Sequence, residues 1–188
     1  MKVFLQNIAQ LLSGLFAKPD IDADTLYLQG SHFNEFGEFD SNVKPYLNAY
    51  QKNPKHLLSE GDILFAAKGL NNFAVVYNRG IGKAVASSSF IILRVNHEYY
   101  EQVMPEYLAW YLSNDPHVRL FHKQLGTTIP SISIEKLSRM EIEIPSLETQ
   151  REIIHIQFLR NREKQILRDL ESHKDQLIKH QLLNAAKQ

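Results

Sequence analysis

From Leu147 to Gln188 the sequence contains no glycine and no proline. These two residues are the usual means of stopping or kinking a helix, so nothing in this stretch interrupts one once it has begun. A start signal is present: Ser146 is placed to cap a helix, and Glu148 and Glu152 would lie near its positive end. The pattern predicts one helix running to near Asn184, roughly 40 residues and about 60 Å long, longer than a small domain is wide.

The apolar residues of this helix include Ile156, Leu159, Ile166, Leu167, Leu170, Leu177, Ile178 and Leu182. Ile156, Leu167 and Ile178 recur every 11 residues, a period that holds one face of a nearly straight helix. Glu163, His173 and His180 intrude on any heptad seam drawn through the others, so an autonomous coiled coil is not expected. The stripe still needs a cover. Folding back on its own domain, or splitting into a hairpin, would have to manage without a Gly or Pro turn, which favours a helix from another chain or from a second copy of this one.

Ahead of the helix, residues 1–145 read as a separate β-rich domain. The chain has 188 residues, of which 44% are apolar, enough for one core and an extension. The first third, with "AKPDIDADTLYLQGSHFNEFGEFD", spaces Tyr27, Phe33, Phe36 and Phe39 among turn formers and predicts short strands and loops. In "LLSEGDILFAAKG" a turn at Glu60-Gly61 leads into a strand from Ile63 to Ala67, and "FAVVYNRG" and "SSSFIILRV" predict two more. Pro105 and Pro116 suit the first positions of two helices, and Gly126 suits a C-terminal cap. Tyr107, Trp110 and Tyr111 are expected in core packing. Met140 to Ile144 alternates like a strand with one buried face. The expected class is α+β: a β-rich domain with short helices, then one long C-terminal α-helix over 146–188.

Catalytic spacings are missing. There is no glycine-rich dinucleotide turn and no phosphate loop, and "GLNNFAVVYNRGIGK" lacks the third glycine and the following helix. Asn53-Pro54 is followed by Lys55, unlike the Asn-Pro-Pro-aromatic motif of amino-methyltransferases, and no acidic residue has lysine two places later as a nuclease motif would. His117 and His122 fall on different helix faces with no carboxylate pair, so surface or capping roles are expected. Ser87, Ser88 and Ser89 have no nucleophile elbow around them and read as strand or loop hydroxyls. With no cysteine, a disulfide scaffold, a thiolate zinc site and a thiol nucleophile are excluded, and a reducing compartment fits. No run approaches a membrane span, and a cytoplasmic protein without a membrane partner is expected.

Lys plus Arg total 21 and Asp plus Glu total 21, a balance that argues against non-specific coating of nucleic acid but leaves room for local basic loops. One such loop is "FAAKGLNN", where Lys68 follows a strand and a flexible glycine precedes Asn71 and Asn72. Lysine can contact phosphate or guanine, and asparagine can read adenine.

Two stretches, "SEGDILFAAKG" (Ser59 to Gly69) and "GTTIPSISIEKLSRMEIEIPSLETQREI" (Gly126 to Ile153), together with the long helix, resemble the specificity subunits of type I restriction-modification systems. In that family a target recognition domain carries a Gly-Asp-Ile-Leu strand and closes with a Gly-rich loop, a short helix, a strand and a Pro-x-x-Glu-x-Gln helix entry. Pro145, Glu148 and Gln150 match that entry. Lys68 stands where arginine is common in the family, and lysine acts as a point charge where arginine can form a fork. A full subunit of the family has two recognition domains and two long helices that pack antiparallel, and this chain resembles one half.

The resemblance implies a non-enzymatic subunit that binds double-stranded DNA and directs a separate methyltransferase, in which the S-adenosylmethionine would reside, and in some systems a translocating restriction subunit. A homodimer through Ile156, Leu159, Ile166, Leu167, Leu170, Leu177 and Ile178 would read a gapped palindrome. The DNA contacts expected on this basis are Lys68, Asn71 and Asn72, with Thr127, Thr128 and Ser131 from the loop after Gly126, followed by Lys44, Tyr46, Arg79 and Lys83 toward phosphate. The rival reading is a regulatory or decoy fragment that occupies the methyltransferase without reading DNA. An enzyme of unseen chemistry is the third.

Overall fold

The structure, a computed structural model, describes residues 1–20, 22–34, 37–48, 54–68, 72–120 and 131–186. By backbone contacts the chain divides into two compact units, Met1–Gln150 and Arg151–Gln188.

The centre of the first unit is a four-stranded antiparallel sheet. Its strands are β2 (Ala9–Ser13), β4 (Ile63–Ala66), β5 (Ala74–Val76) and β7 (Phe90–Val95), in the order β2-β7-β4-β5. The strands expected from Ile63, from "FAVVYNRG" and from "SSSFIILRV" are β4, β5 and β7, with β4 ending at Ala66. All four residues of β4 are buried, because both faces of the sheet are covered. Side chains alternate across a strand, so Ile63, Phe65, Ile91, Leu93 and Val95 enter one core, while Leu64, Ala66, Phe90 and Ile92 enter another.

Helices fill the first core. A single helical turn, α1 (Leu5–Ile8), buries Leu5 and Ile8 there, and α2 (Pro105–Asn114) adds Leu108, Ala109 and Leu112. A short α3 (Pro116–Leu120) and α4 (Ile134–Ser138) follow, the latter burying Leu137. Pro105 and Pro116 take the first positions of α2 and α3, where a missing N–H costs nothing. Tyr107 is buried and Tyr111 packs against this core, but Trp110 is only half-buried, its ring tilted on Tyr107 at 5.7 Å. Leu108, Ala109 and Leu112 already occupy the core face of this helix, and the indole packs instead beside Tyr107.

The second core lies between the sheet and a parallel pair, β3 (Leu26–Leu28) with β6 (Ala84–Ala86), which contributes Leu26, Leu28, Ala84 and Ala86. Tyr27 and Val85 point the other way, into a small outer cluster with Leu47. The turn before β4 uses Gly61 at a φ of 82°, a conformation that suits glycine. Beside it the buried carboxylate of Asp62 accepts Arg94 Nε and Nη2, both at 2.7 Å, and the Ser59 amide at 2.7 Å. Three donors at a site 1% exposed are what a buried charge requires.

The unit is closed by β1 (Lys2–Phe4), which pairs antiparallel with β8 (Glu141–Glu143) in the register Lys2 to Glu143. Two residues past Pro145 the last helix begins, α5 (Leu147–Ala185), 39 residues without interruption. Ser146 accepts the Thr149 amide at 3.3 Å, the cap its hydroxyl was expected to supply. Gln150, in the first turn, is fully buried. Its Oε1 accepts from Met104 N at 2.9 Å, and its Nε2 donates to Gln102 O at 2.7 Å and Pro145 O at 2.9 Å. One amide thereby satisfies three backbone groups from two segments.

Gln150→Ala leaves those three groups without partners and is expected to lower stability by about 2–4 kcal/mol in urea unfolding, well beyond an ordinary helix substitution. The Tyr107 hydroxyl donates to Glu143 O at 2.6 Å, and burial pushes its phenol from 10.0 up to about 12. A folded-state value above the unfolded one gives stability that is complete below pH 10 and is lost as pH rises through about 12. Tyr107→Phe is expected to cost about 1 kcal/mol at neutral pH and to flatten the alkaline loss, as read from urea melts across that range.

Candidate nucleic-acid interface

Lys68 and Ser131, from separate expected loops, meet in an antiparallel bridge, and Ile132 N donates to Ala67 O at 2.9 Å. On the other side Ala67 N donates to Ser89 O at 2.9 Å. This pairing draws the segment after β4, the turn between β6 and β7, and the segment before α4 to one end of the sheet. Lys68 and Ser131 are both exposed there.

A groove of about 360 Å³ opens at this end, lined by Lys68, by Ser87, Ser88 and Ser89, and by Gln29 and Ser31, with Phe16 and Phe73 as its aromatic walls. Ser87 Oγ and Ser89 Oγ are 2.6 Å apart, and Ser87 N donates to Leu28 O at 2.8 Å, so the serine turn is fixed to the end of β3. Behind the groove Phe73 meets Phe90 edge-on at 6.1 Å, with Phe33 packed on both. Serine hydroxyls and the Gln29 amide thus stand beside an aromatic cluster. Such groups can exchange hydrogen bonds with base edges, and Lys68 can supply a phosphate contact.

Phe16 is 77% exposed. Its place follows from Gly14, where a Cβ would fall 1.9 Å from Ser87 O, so only glycine lets the chain leaving β2 run against the serine turn. Gly14 N then donates to Phe90 O at 3.1 Å and Leu15 N to Ala86 O at 2.8 Å, while the Tyr27 hydroxyl donates to Leu15 O at 2.8 Å.

A second groove, also about 360 Å³, shares Tyr27 and Gln29 with the first and holds Lys44, Tyr46, His32, Asp40 and Asn42. Lys44 is exposed, whereas Tyr46 stacks on Tyr27 at 5.2 Å and packs into the outer cluster. His32 Nδ1 accepts the Gln29 amide, and burial lowers the ring's pKa against the opposing pull of Asp40, so the neutral ring is favoured.

Arg79 and Lys83 lie elsewhere. Arg79 follows β5 beyond the Ile63 end of β4, about 17 Å along the strand from Lys68, and its amide donates to Glu60. Lys83 precedes β6, about 13 Å from Ser87, and pairs with Asp24 at 2.6 Å, which lowers the Asp24 pKa. Asn72 donates to Ala66 O at 2.6 Å, a bracing role. Asn71, Thr127, Thr128, Gly126 and His122 lie outside the described residues. His117 is a surface histidine, its side chain 78% exposed, and its amide donates to Asp115 Oδ1 at 2.6 Å, Asp115 being the residue ahead of α3. Among the described residues no cluster of three His, Asp or Glu could hold a metal, and no helix is long and apolar enough to cross a membrane.

A family model for the type I restriction modification DNA specificity domain matches residues 24–185. The chain belongs to this family. Solved structures show the same fold. A chain of a type I R-M system, from work on its complex assembly and conformational transition, aligns at a TM-score of 0.59 and 18% identity over 93% of this chain and 41% of that one. The HsdS subunit from Thermoanaerobacter tengcongensis aligns at 0.57 and 15%, over 87% of this chain and 37% of that one. The type I S subunit from M. genitalium aligns at 0.54 and 15%, over 92% and 42%. The chain therefore spans about two fifths of the length of these solved chains. No curated protein matches it.

Phe16, Gln29, Ser31 and the serine turn were not among the contacts expected from the sequence. The serine triplet was visible there, but its neighbours along the groove come from residues 16–31, which no local pattern connects to it. Gly14→Ala is expected to destabilise the unit by about 2–3 kcal/mol, since the serine turn must move, whereas Phe16→Ala should stay within about 0.5 kcal/mol; urea unfolding separates the two.

Proposed function

We propose that this chain is a DNA-sequence recognition subunit without catalytic activity of its own, directing a separate S-adenosylmethionine-dependent methyltransferase, and in some systems a translocating nuclease, to a bipartite target. Residues 1–145 act as the target recognition domain and residues 146–188 as the spacer and pairing helix. The observation that carries the reading is one groove lined by Lys68 and the serine turn, with Ser131 bridged to Lys68 beside it, in a chain of the DNA specificity family. Lys68 and Ser131, with Asn71, Thr127 and Thr128 beside them in sequence, are the first contacts. Lys44 follows, while Arg79 and Lys83 are reserved for phosphates farther along the duplex.

The alignments fit a half-length form. A chain covering about two fifths of its matched structures can carry one of two recognition domains, with the second supplied by another copy. The helix offers the surface, because Ile156, Leu167 and Ile178 are more than half exposed in the single chain. A twofold dimer reading DNA at both ends would recognise two inverted half-sites separated by a fixed gap.

The test is a methylome. The chain is expressed with its cognate methyltransferase in a host lacking both, and modified bases are mapped. A gapped palindrome is the expected result. An asymmetric split target would keep recognition but require a different second half, and stable methyltransferase binding with no new methylation would replace this reading with the decoy role. Lys68→Ala is expected to weaken DNA binding several-fold and to reduce the salt dependence by about one counterion, with folding unchanged by circular dichroism.

A further inference from the structure

The charges that interrupt the helix stripe follow the period of its apolar residues. Eleven residues turn an α-helix through three turns and about 20°. Glu152, Glu163 and Lys174 are spaced by 11, as are Ile156, Leu167 and Ile178. Glu163 stands four residues beyond Leu159 and four before Leu167, and Lys174 stands four beyond Leu170 and four before Ile178. Both charges therefore lie within the apolar stripe. The polar face, around Arg168, Ser172, Asp175 and Lys179, is on the other side of the helix. Leu159, Leu167, Leu170 and Ile178 are each about half exposed, and among the described residues no ion pair reaches Glu163 or Lys174.

A charge inside a helix seam is tolerated when the facing helix brings its opposite, and such positions fix register and orientation. We propose that a second copy of this helix lies on the stripe antiparallel, with the twofold axis between Arg168 and Asp169, and that Glu163 and Lys174 fix this register by pairing across it. The inference rests on reading the helix as a pairing surface between two copies. With the axis there, Glu163 faces Lys174 of the partner subunit twice by symmetry, Leu167 faces Leu170 of the partner subunit, and Leu159 faces Ile178 of the partner subunit.

Two competing arrangements bring like charges together. A parallel pair in register sets Glu163 on its own copy and Lys174 on its own copy. An antiparallel pair centred on Leu167 makes an apolar contact at the axis but sets Glu163 against Glu171 and Lys174 against Arg160. One sequence thus encodes an attraction in one register and repulsion in these two.

The test uses the full chain in sedimentation equilibrium: wild type, Glu163→Lys, Lys174→Glu, and a 1:1 mixture of the two variants, with circular dichroism confirming that each keeps its helix. Each single variant is expected to raise the dimer Kd roughly ten- to hundredfold, because two attractions become two repulsions. The mixture should return to within about threefold of wild type, since each variant supplies the charge the other lacks. Single variants that dimerise like wild type, or a mixture no tighter than its components, overturn the register while leaving the pairing surface standing. A wild-type chain that stays monomeric overturns both.

Discussion

The buried amide of Gln150 is the contact on which the closure of the first unit depends. Helix first turns leave N–H groups without intrahelical partners, and loops that run under a helix leave both donors and acceptors in the same condition. Here one side chain in the first turn of α5 answers the loop at Gln102 and Met104 and the turn at Pro145 at once. Pro145 is well suited to the last position, since it has a carbonyl to offer and no N–H to satisfy. A carboxylate in place of the amide could accept but not donate, and an apolar residue could do neither. This gives a physical reason for a glutamine three residues into a helix otherwise rich in charge.

From that closure the groove follows by a chain of backbone pairings, none of which is local. β1 holds β8 in place ahead of the helix, β2 carries the chain along β7 to Gly14, and the absence of a Cβ there lets residues 14–16 pass the serine turn. The serine turn is held by Leu28 and by Ala67, and Ala67 in turn holds Ile132. Lys68 and Ser131 are brought together as the consequence. The polar lining of the groove is therefore carried on main-chain ladders and an aromatic cluster, so its side chains can change identity with little effect on the fold. A recognition surface that must vary while its scaffold stays constant needs that separation.

What could be read in the sequence was what local chemistry decides. The absence of Gly and Pro beyond Ser146 predicted a helix to near Asn184, and α5 runs Leu147–Ala185. Ile63 and its neighbours, the Gly61 turn, and the prolines opening α2 and α3 were equally legible, because propensity, turn chemistry and burial agree there. The pairing of Lys2 with Glu143 and the parallel β3–β6 pair were not, since three-residue strands carry almost no pattern and owe their form to partners far along the chain. For the same reason Lys68 and Ser131 could be named singly but not joined, and Phe16, Gln29 and Ser31 gave no local sign of sharing a groove with the serines. Lys83 and Tyr46 show the reverse: each looked available in a loop, and Asp24 and Tyr27 already engage them.

The neutral charge of the chain fits this division. A protein that gripped DNA by counterion release alone would need many cations along its contact surface, with affinity falling steeply as salt rises. Here the first groove offers a single cation, Lys68, among serine hydroxyls, the Gln29 amide and aromatic rings, a lining that supplies little long-range attraction. On the proposed reading the binding strength comes from the methyltransferase and from a second copy of the chain. Two weak readers joined at a fixed spacing bind far more tightly than either alone, and only where both half-sites are present. On the same reading, the long helix would contribute to sequence specificity without touching a base, since its length and the register in which two copies meet would set the gap between half-sites.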